Sequence, residues 1–89
     1  MSAEANLVKL KIKLPDAKAP VGNYVATKIS EKMLFISGQV SIDENNQLIK
    51  GKIGKDLDTK AGYDAAKRCA LSIIAQVKDA CNGDLSKVK

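Results

Sequence analysis

Between Asp58 and Gly83 the sequence commits more than a quarter of its length to one helix, and that commitment limits what the rest can build. Asp58 or Thr59 can accept hydrogen bonds from the first-turn amides, and Asn82-Gly83 supplies a left-handed stop just after Cys81. Tyr63, Ala66, Ala70, Ile73, Ile74, Val77 and Cys81 recur at helical steps as one apolar stripe. Lys60, Asp64, Lys67, Arg68, Lys78 and Asp79 occupy the opposite side. The helix is therefore expected to lie across a sheet with its stripe inward and its charges, Arg68 included, outward.

The sheet is sought upstream. Residues 24–29 and 32–42 read as strands joined across Ser30-Glu31, a connection short enough for an antiparallel hairpin. The first alternates, as a strand with one wet face does. The continuous run Met33-Leu34-Phe35-Ile36 predicts a central strand covered on both faces. Asp43 to Gln47 is a polar turn, and Leu48-Ile49 a brief return strand before Gly51 and Gly54 break regularity. Residues 7–14 alternate apolar and lysine from Val8 onward, which predicts a half-buried strand, with a short helix over residues 4–11 as the competing reading. Pro15 and Pro20 bracket an extended surface segment, and the sheet is expected to start after Pro20. Beyond Gly83 the chain reads as the lead-in to another strand.

Eighty-nine residues make one domain at most, and a chain of this size buries only about 60 % of what it exposes unfolded. With one Phe, two Tyr and no Trp the core must be aliphatic and small, so oligomerisation is the natural supplement. No run approaches the roughly 18 apolar residues of a membrane span, and no apolar signal core precedes a cleavage site, which predicts a soluble, cytoplasmic chain without membrane partners. The net charge of +5 is dispersed, and its two clusters, Lys9/Lys11/Lys13 and Lys50/Lys52/Lys55, are not interleaved with stacking aromatics. Nucleic acid is accordingly not the expected partner. Cys69 and Cys81 fall twelve positions apart on one helix, about 18 Å, too far for a disulfide. With no histidine, zinc chemistry and His-based triads are excluded within the chain, and no metal or cofactor is expected.

The strand that ends Ser37-Gly38-Gln39 carries the chemistry. Glycine permits close approach, and the hydroxyl and amide offer hydrogen-bonding groups at the strand's end. Tyr24, beside Gly22, is either a buried tyrosine with its hydroxyl satisfied or a wall of the same pocket. Ser37 has no base to make it a nucleophile and is read as a hydrogen-bond donor to a ligand carboxylate or carbonyl. Gly51-Lys52-Ile53-Gly54 superficially matches the GxxG clamp of KH domains, but that clamp joins two helices and here a strand leads into it; it is also no Walker loop.

Gly22-Asn23-Tyr24-Val25, Leu34-Phe35-Ile36-Ser37-Gly38-Gln39-Val40, Gly54-Lys55-Asp56-Leu57 and the helix from Gly62-Tyr63-Asp64-Ala65-Ala66-Lys67 to Ala70-Leu71 resemble the N-terminal part of the RidA/YjgF family, also called L-PSP endoribonucleases or translation inhibitors. The resemblance covers residues 14–89. It implies an α+β fold of chorismate-mutase-like type, an antiparallel-rich sheet packed on a long helix, assembled as a homotrimer with clefts between subunits. It implies hydrolysis of enamine or imine products such as 2-iminobutanoate and 2-iminopropanoate, without cofactor, and a small carboxylate or imino-acid-like ligand held by Tyr24, Ser37, Gly38 and Gln39.

Gly-Asn-Tyr-Val in place of the family's Gly-Pro-Tyr, with the leading Leu-Pro-Asp-Ala, is similar to a longer subgroup with an N-terminal extension, so residues 1–20 are read as that extension and 21–89 as hairpin, loop and long helix of one truncated domain. The family's carboxylate-clamping arginine and its acidic residue for water activation belong to a C-terminal half that this sequence does not contain, so no catalytic residue is nominated and a complementary C-terminal fragment is an expected partner. Arg68, on the charged side of the helix, is not nominated as the clamp. The alternatives from other classes are a non-catalytic small-metabolite or protein-binding module of the same fold, and an RNA-binding, endoribonuclease-like translation inhibitor.

Overall fold

The computed structural model describes residues 2–17, 19 and 22–89. Pro20 and Val21, where the sheet is expected to begin, lie outside them. The chain runs α1 (Ala3–Lys9), β1 (Thr27–Ser30), β2 (Met33–Ile36), α2 (Thr59–Ala80) and a 3₁₀ turn, Leu85–Lys87.

The N-terminal segment corrects the expected strand. Ser2 caps α1, its hydroxyl accepting the Ala5 N–H at 3.1 Å, and the helix-forming residues that follow carry it to Lys9. Lys11 then turns the chain with φ 58°. The alternating lysines describe only the tail of the segment, where Ile12 and Leu14 are half-buried. The Glu4 carboxylate accepts the Leu85 N–H, so α1 and the 3₁₀ turn hold each other at opposite ends of the sequence.

β1 and β2 form the expected antiparallel hairpin, with Ser30 opposite Met33 and Thr27 opposite Ile36. Its two-residue turn needs a positive φ, which Glu31 supplies at 54°. The strands are shorter than predicted. The Ser37 N–H still reaches the Ala26 carbonyl at 2.9 Å, after which residues 38–40 leave the sheet. Nor is β2 covered on both faces: in a two-stranded sheet Met33 and Phe35 remain 61 % and 57 % exposed, while Leu34 and Ile36 are half-buried.

A second, smaller hairpin follows as predicted. Ile42 pairs with Leu48, Asn46 turns at φ 66°, and the Asp43 carboxylate accepts the N–H groups of Asn45 and Gln47, each at 2.9 Å. Gly51 and Gly54 bend the next loop with φ of 136° and 93°, and the Lys52 carbonyl accepts the amides of Lys55, Asp56 and Leu57. No helix leads into this loop, which disposes of the KH-like reading.

α2 starts at the Asp58 cap, whose carboxylate accepts the Ala61 N–H at 2.8 Å. It ends in a Schellman motif: Asn82 and Gly83 both take positive φ, and their N–H groups return to the carbonyls of Asp79 and Lys78. The buried face is not the predicted stripe. Leu71, Ala75 and the neighbouring Gln76 are buried, as is Leu85 in the 3₁₀ turn. Tyr63, Ala66, Ala70 and Ile73 are exposed. Ile73 stands about 200° round the helix from Leu71, so α2 has two apolar faces. The strand β2 packs on α2, and of the predicted stripe Ile74, Val77 and Cys81 are half-buried while the other four residues are exposed. Gly62 lets Ile53 approach α2, since a Cβ there would meet the Ile53 side chain at 2.5 Å, and the polar Arg68 comes inward because it finds a backbone acceptor there. The segment after Gly83 is the 3₁₀ turn rather than a strand lead-in, capped by Asp84. Cys69 and Cys81 are free thiols, both half-buried.

The accessible surface is 7037 Å², against about 5,000 Å² for a compact monomer of this mass. The radius of gyration is 14.4 Å, against about 12 Å expected. The chain is a slab, 21 Å in its thinnest direction, with one helix layer and one partial sheet layer. Among the described residues no helix is long and apolar enough to cross a membrane.

Two outcomes test this packing. Leu71→Ala should lower unfolding free energy by about 2–3 kcal/mol in urea titration, whereas Ile73→Ala should cost under about 1 kcal/mol; equal costs would mean the wrong face has been buried. The Asp84 carboxyl is held below its ordinary value of 3.8, first by the Ser86 hydroxyl, then by the Ser86 N–H, with a smaller pull from Lys87. A depressed folded value means its support of the 3₁₀ turn is complete above pH 3.8 and is lost only as pH falls through the lower folded value. The Ser86 amide resonance should therefore hold steady until pH drops below that point.

Candidate cavity at the end of the first hairpin

Where residues 37–40 leave the sheet, they leave space behind. A cavity of about 730 Å³ opens there, walled by Tyr24 and Ala26, by Ser37 to Val40, by the tip of the second hairpin and by Arg68 and Ser72 of α2, with Lys13 to Asp16 closing one side. Tyr24, Ser37, Gly38 and Gln39 thus share one wall system. Their local geometry differs from expectation in detail. The Ser37 hydroxyl donates to the Ala26 carbonyl at 3.2 Å, so its proton is committed to the backbone and its oxygen is what faces a ligand. The Gln39 amide nitrogen donates to the Ser37 carbonyl at 3.2 Å, which orients the side chain and leaves its oxygen as acceptor. Tyr24 is 47 % exposed and so is not the buried, satisfied tyrosine of the competing reading. A methyl group built on Gly38 would meet nothing within 4 Å, so no neighbouring backbone requires glycine there.

Arg68 is the residue that sequence reasoning misplaced. Its Nε–H donates to the Ile42 carbonyl at 2.7 Å, its side chain is only 16 % exposed, and its Nη1 stands 4.0 Å from the Glu44 carboxylate. It reaches across 26 positions of sequence to clasp the second hairpin against α2. The available signal was its spacing: Arg68 falls three residues before Leu71, within the same turn of the helix as the buried face. A second cavity of about 410 Å³ on the other side of this clasp is lined by Arg68 and Leu71, by Asp43, Glu44 and Ile49, and by residues 10–13. The hairpin and Arg68 form the partition between the two.

The charges lining the larger cavity are Lys13 and Arg68 against Asp16, Asp43 and Glu44. Asp43 is occupied by its own turn amides. Arg68 is the cation placed to meet a ligand with its direction fixed, because one nitrogen is already anchored. No group of three or more metal-ligating side chains occurs among the described residues.

Removing the clasp has a readable effect. Arg68→Ala should leave the Ile42 carbonyl without its charged donor and cost about 1.5–3 kcal/mol. Hydrogen exchange at the Asp43 and Ile49 amides should quicken before that at Leu71 or Ala75.

Residues 4–89 match the family described as YjgF/chorismate mutase-like, putative endoribonuclease. Protein TCP17 of Trypanosoma cruzi is 41 % identical over 85 residues, which are 96 % of this chain and 52 % of that protein. A crystal structure of a putative endoribonuclease from Shewanella oneidensis superposes with a TM-score of 0.87 at 36 % identity, over 97 % of this chain and 56 % of that one. The protein Atu1372 from Agrobacterium tumefaciens, described as of unknown function, gives 0.76 at 39 % identity, over 93 % and 50 %. The chain therefore spans about half the length of the relatives it matches.

Proposed function

The chain belongs to the YjgF/chorismate mutase-like family, and on that premise we propose that its cavity binds a small 2-oxo or 2-imino carboxylate and contributes one part of an imine-hydrolysing site. The observation that carries this reading is the convergence of Tyr24, Ser37, Gly38, Gln39 and Arg68 on one cavity from three separate segments. Of the two cations in the lining, Lys13 and Arg68, the guanidinium is the one held in a fixed direction for a carboxylate, and the polar wall of acceptors suits the N–H of an imine or its conjugate acid. Hydrolysis then needs only a positioned water: it adds to the C=N carbon, the nitrogen takes up the protons and leaves as ammonia, and the 2-oxo acid remains. No redox partner or cofactor enters that balance. Within this chain the Asp43 carboxylate accepts two turn amides at Oδ1, which stabilise its charged form, and Glu44 is at an exposed turn, so neither is assigned as the base that takes a proton from water. Binding is accordingly assigned to these residues, and turnover to the fold once completed by other polypeptide.

The uncovered surface supports the same view of assembly. The excess of about 2,000 Å² over a compact monomer is on the scale of an obligate interface, and Tyr63, Ile73, Met33 and Phe35 all lie on it. Copies of this chain in a trimer, and polypeptide equivalent to the remaining half of the relatives, are the partners it would take. Light scattering across a concentration series should give three chain masses at the upper end; a monomer throughout would overturn the trimer.

The ligand is tested by titrating ¹⁵N-labelled chain with sodium 2-oxobutanoate, the stable product analogue. Resonances of Gly38, Gln39 and Arg68 should move with a dissociation constant near about 1 mM, roughly 4 kcal/mol of binding. Arg68→Lys should weaken the shifts, the lysine offering one point of contact where the guanidinium offers two. Absence of shifts in the unsubstituted chain would overturn the reading.

A further inference from the structure

We propose that Glu44 is the resident counter-ion of Arg68 and sets how tightly the cavity takes an anion, a small carboxylate entering by replacing the Glu44 carboxylate at the guanidinium. The inference rests on the carboxylate-binding reading above and concerns what that site gives up when it binds.

The geometry is asymmetric. Arg68 is largely enclosed and its Nε–H is held by the Ile42 carbonyl at 2.7 Å, so the guanidinium cannot turn. The edge formed by its two terminal nitrogens is the one left for a two-point carboxylate contact. At that edge stands Glu44, 4.0 Å away, with its side chain 78 % exposed. A pair at this separation with one partner in water is weak, because solvent screens it and the long side chain keeps its freedom. Glu44 can therefore leave at little cost. Asp43 is held in its own turn, its Oδ1 accepting the Asn45 and Gln47 amides, and makes no ion pair with Arg68.

The charge balance gives the pair its effect. Two cations, Lys13 and Arg68, face three carboxylates, Asp16, Asp43 and Glu44, so a carboxylate meets a negative lining until Glu44 swings out. Once it does, the lining is neutral and the guanidinium edge is free. Glu44 sits in the tight turn between Ile42 and Leu48, so its departure is a local movement of the hairpin tip and leaves the Arg68 to Ile42 clasp in place.

The test compares four forms of the 89-residue chain against sodium 2-oxobutanoate by the same titration: unsubstituted, Glu44→Gln, Arg68→Lys and Glu31→Gln. Glu31 lies in the first hairpin turn, away from the cavity, and controls for overall charge. Glu44→Gln should tighten binding about two- to fivefold, the range expected for loss of an exposed pair. Arg68→Lys should weaken it, with an unfolding midpoint measured alongside to confirm a folded chain, and Glu31→Gln should match the unsubstituted chain. Equal affinity in Glu44→Gln and Glu31→Gln, with Arg68→Lys still weaker, would overturn the counter-ion role while leaving carboxylate binding intact. Binding by none of the four would overturn both.

Discussion

The fold depends on the packing of α2, whose Leu71 and Ala75 are buried and against which β2 rests, and on the buried Leu85, whose turn packs on α1. These side chains are the buried apolar core among the described residues, and apart from them the chain relies on caps and turns. The Asp58 cap, the Schellman stop and the Glu4 to Leu85 bond each satisfy backbone groups at places where little hydrophobic burial is available. A domain so constructed is held at its ends more than at its centre.

The same scarcity explains why a polar residue became structural. Arg68 occupies the helix face where a larger core would carry a leucine, and its bond to Ile42 secures a hairpin that has few apolar contacts of its own. The cavity is a consequence: the strand end at Ser37 departs, the hairpin is pinned at a distance by a long side chain, and the space between them stays open. Site and scaffold therefore share a residue, and a change to one is a change to the other.

How much of this could be read from residues alone follows from the range of the interactions. The α+β class, the antiparallel hairpin, the Asp43 to Gln47 turn and both ends of α2 were legible, because each is written in local chemistry: a capping carboxylate, an Asn-Gly stop, a short turn between apolar runs. The grouping of Tyr24 with Ser37, Gly38 and Gln39 was legible from the hairpin and from the family resemblance. What failed was the choice of the most covered face: Lys60, Asp64, Lys67 and Asp79 do point outward, and Ile74, Val77 and Cys81 are half-buried, but the start of the predicted stripe is not covered. Tyr63, Ala66, Ala70 and Ile73 make a better stripe than Leu71 and Ala75, yet the lesser face is the one packed. Periodicity reports that a face is apolar and not what meets it. Arg68 was misjudged for the same reason, since its acceptor lies 26 residues away. At the N-terminus, alternation from Val8 lost to a serine cap six residues earlier, a local signal outweighing a periodic one.

The two-stranded sheet carries a further consequence. Among the described residues each strand has one partner, so each presents an outer edge beside Met33-Leu34-Phe35-Ile36, a run with the composition of a self-pairing segment. Lys32 precedes that run, Lys28 stands opposite Phe35 on the partner strand, and Gly38 interrupts extension just past it. The basic surplus of the chain thus acquires a colloidal meaning: at low ionic strength these lysines hold neighbouring molecules apart, and added salt, by screening them, shortens the time the protein stays in solution.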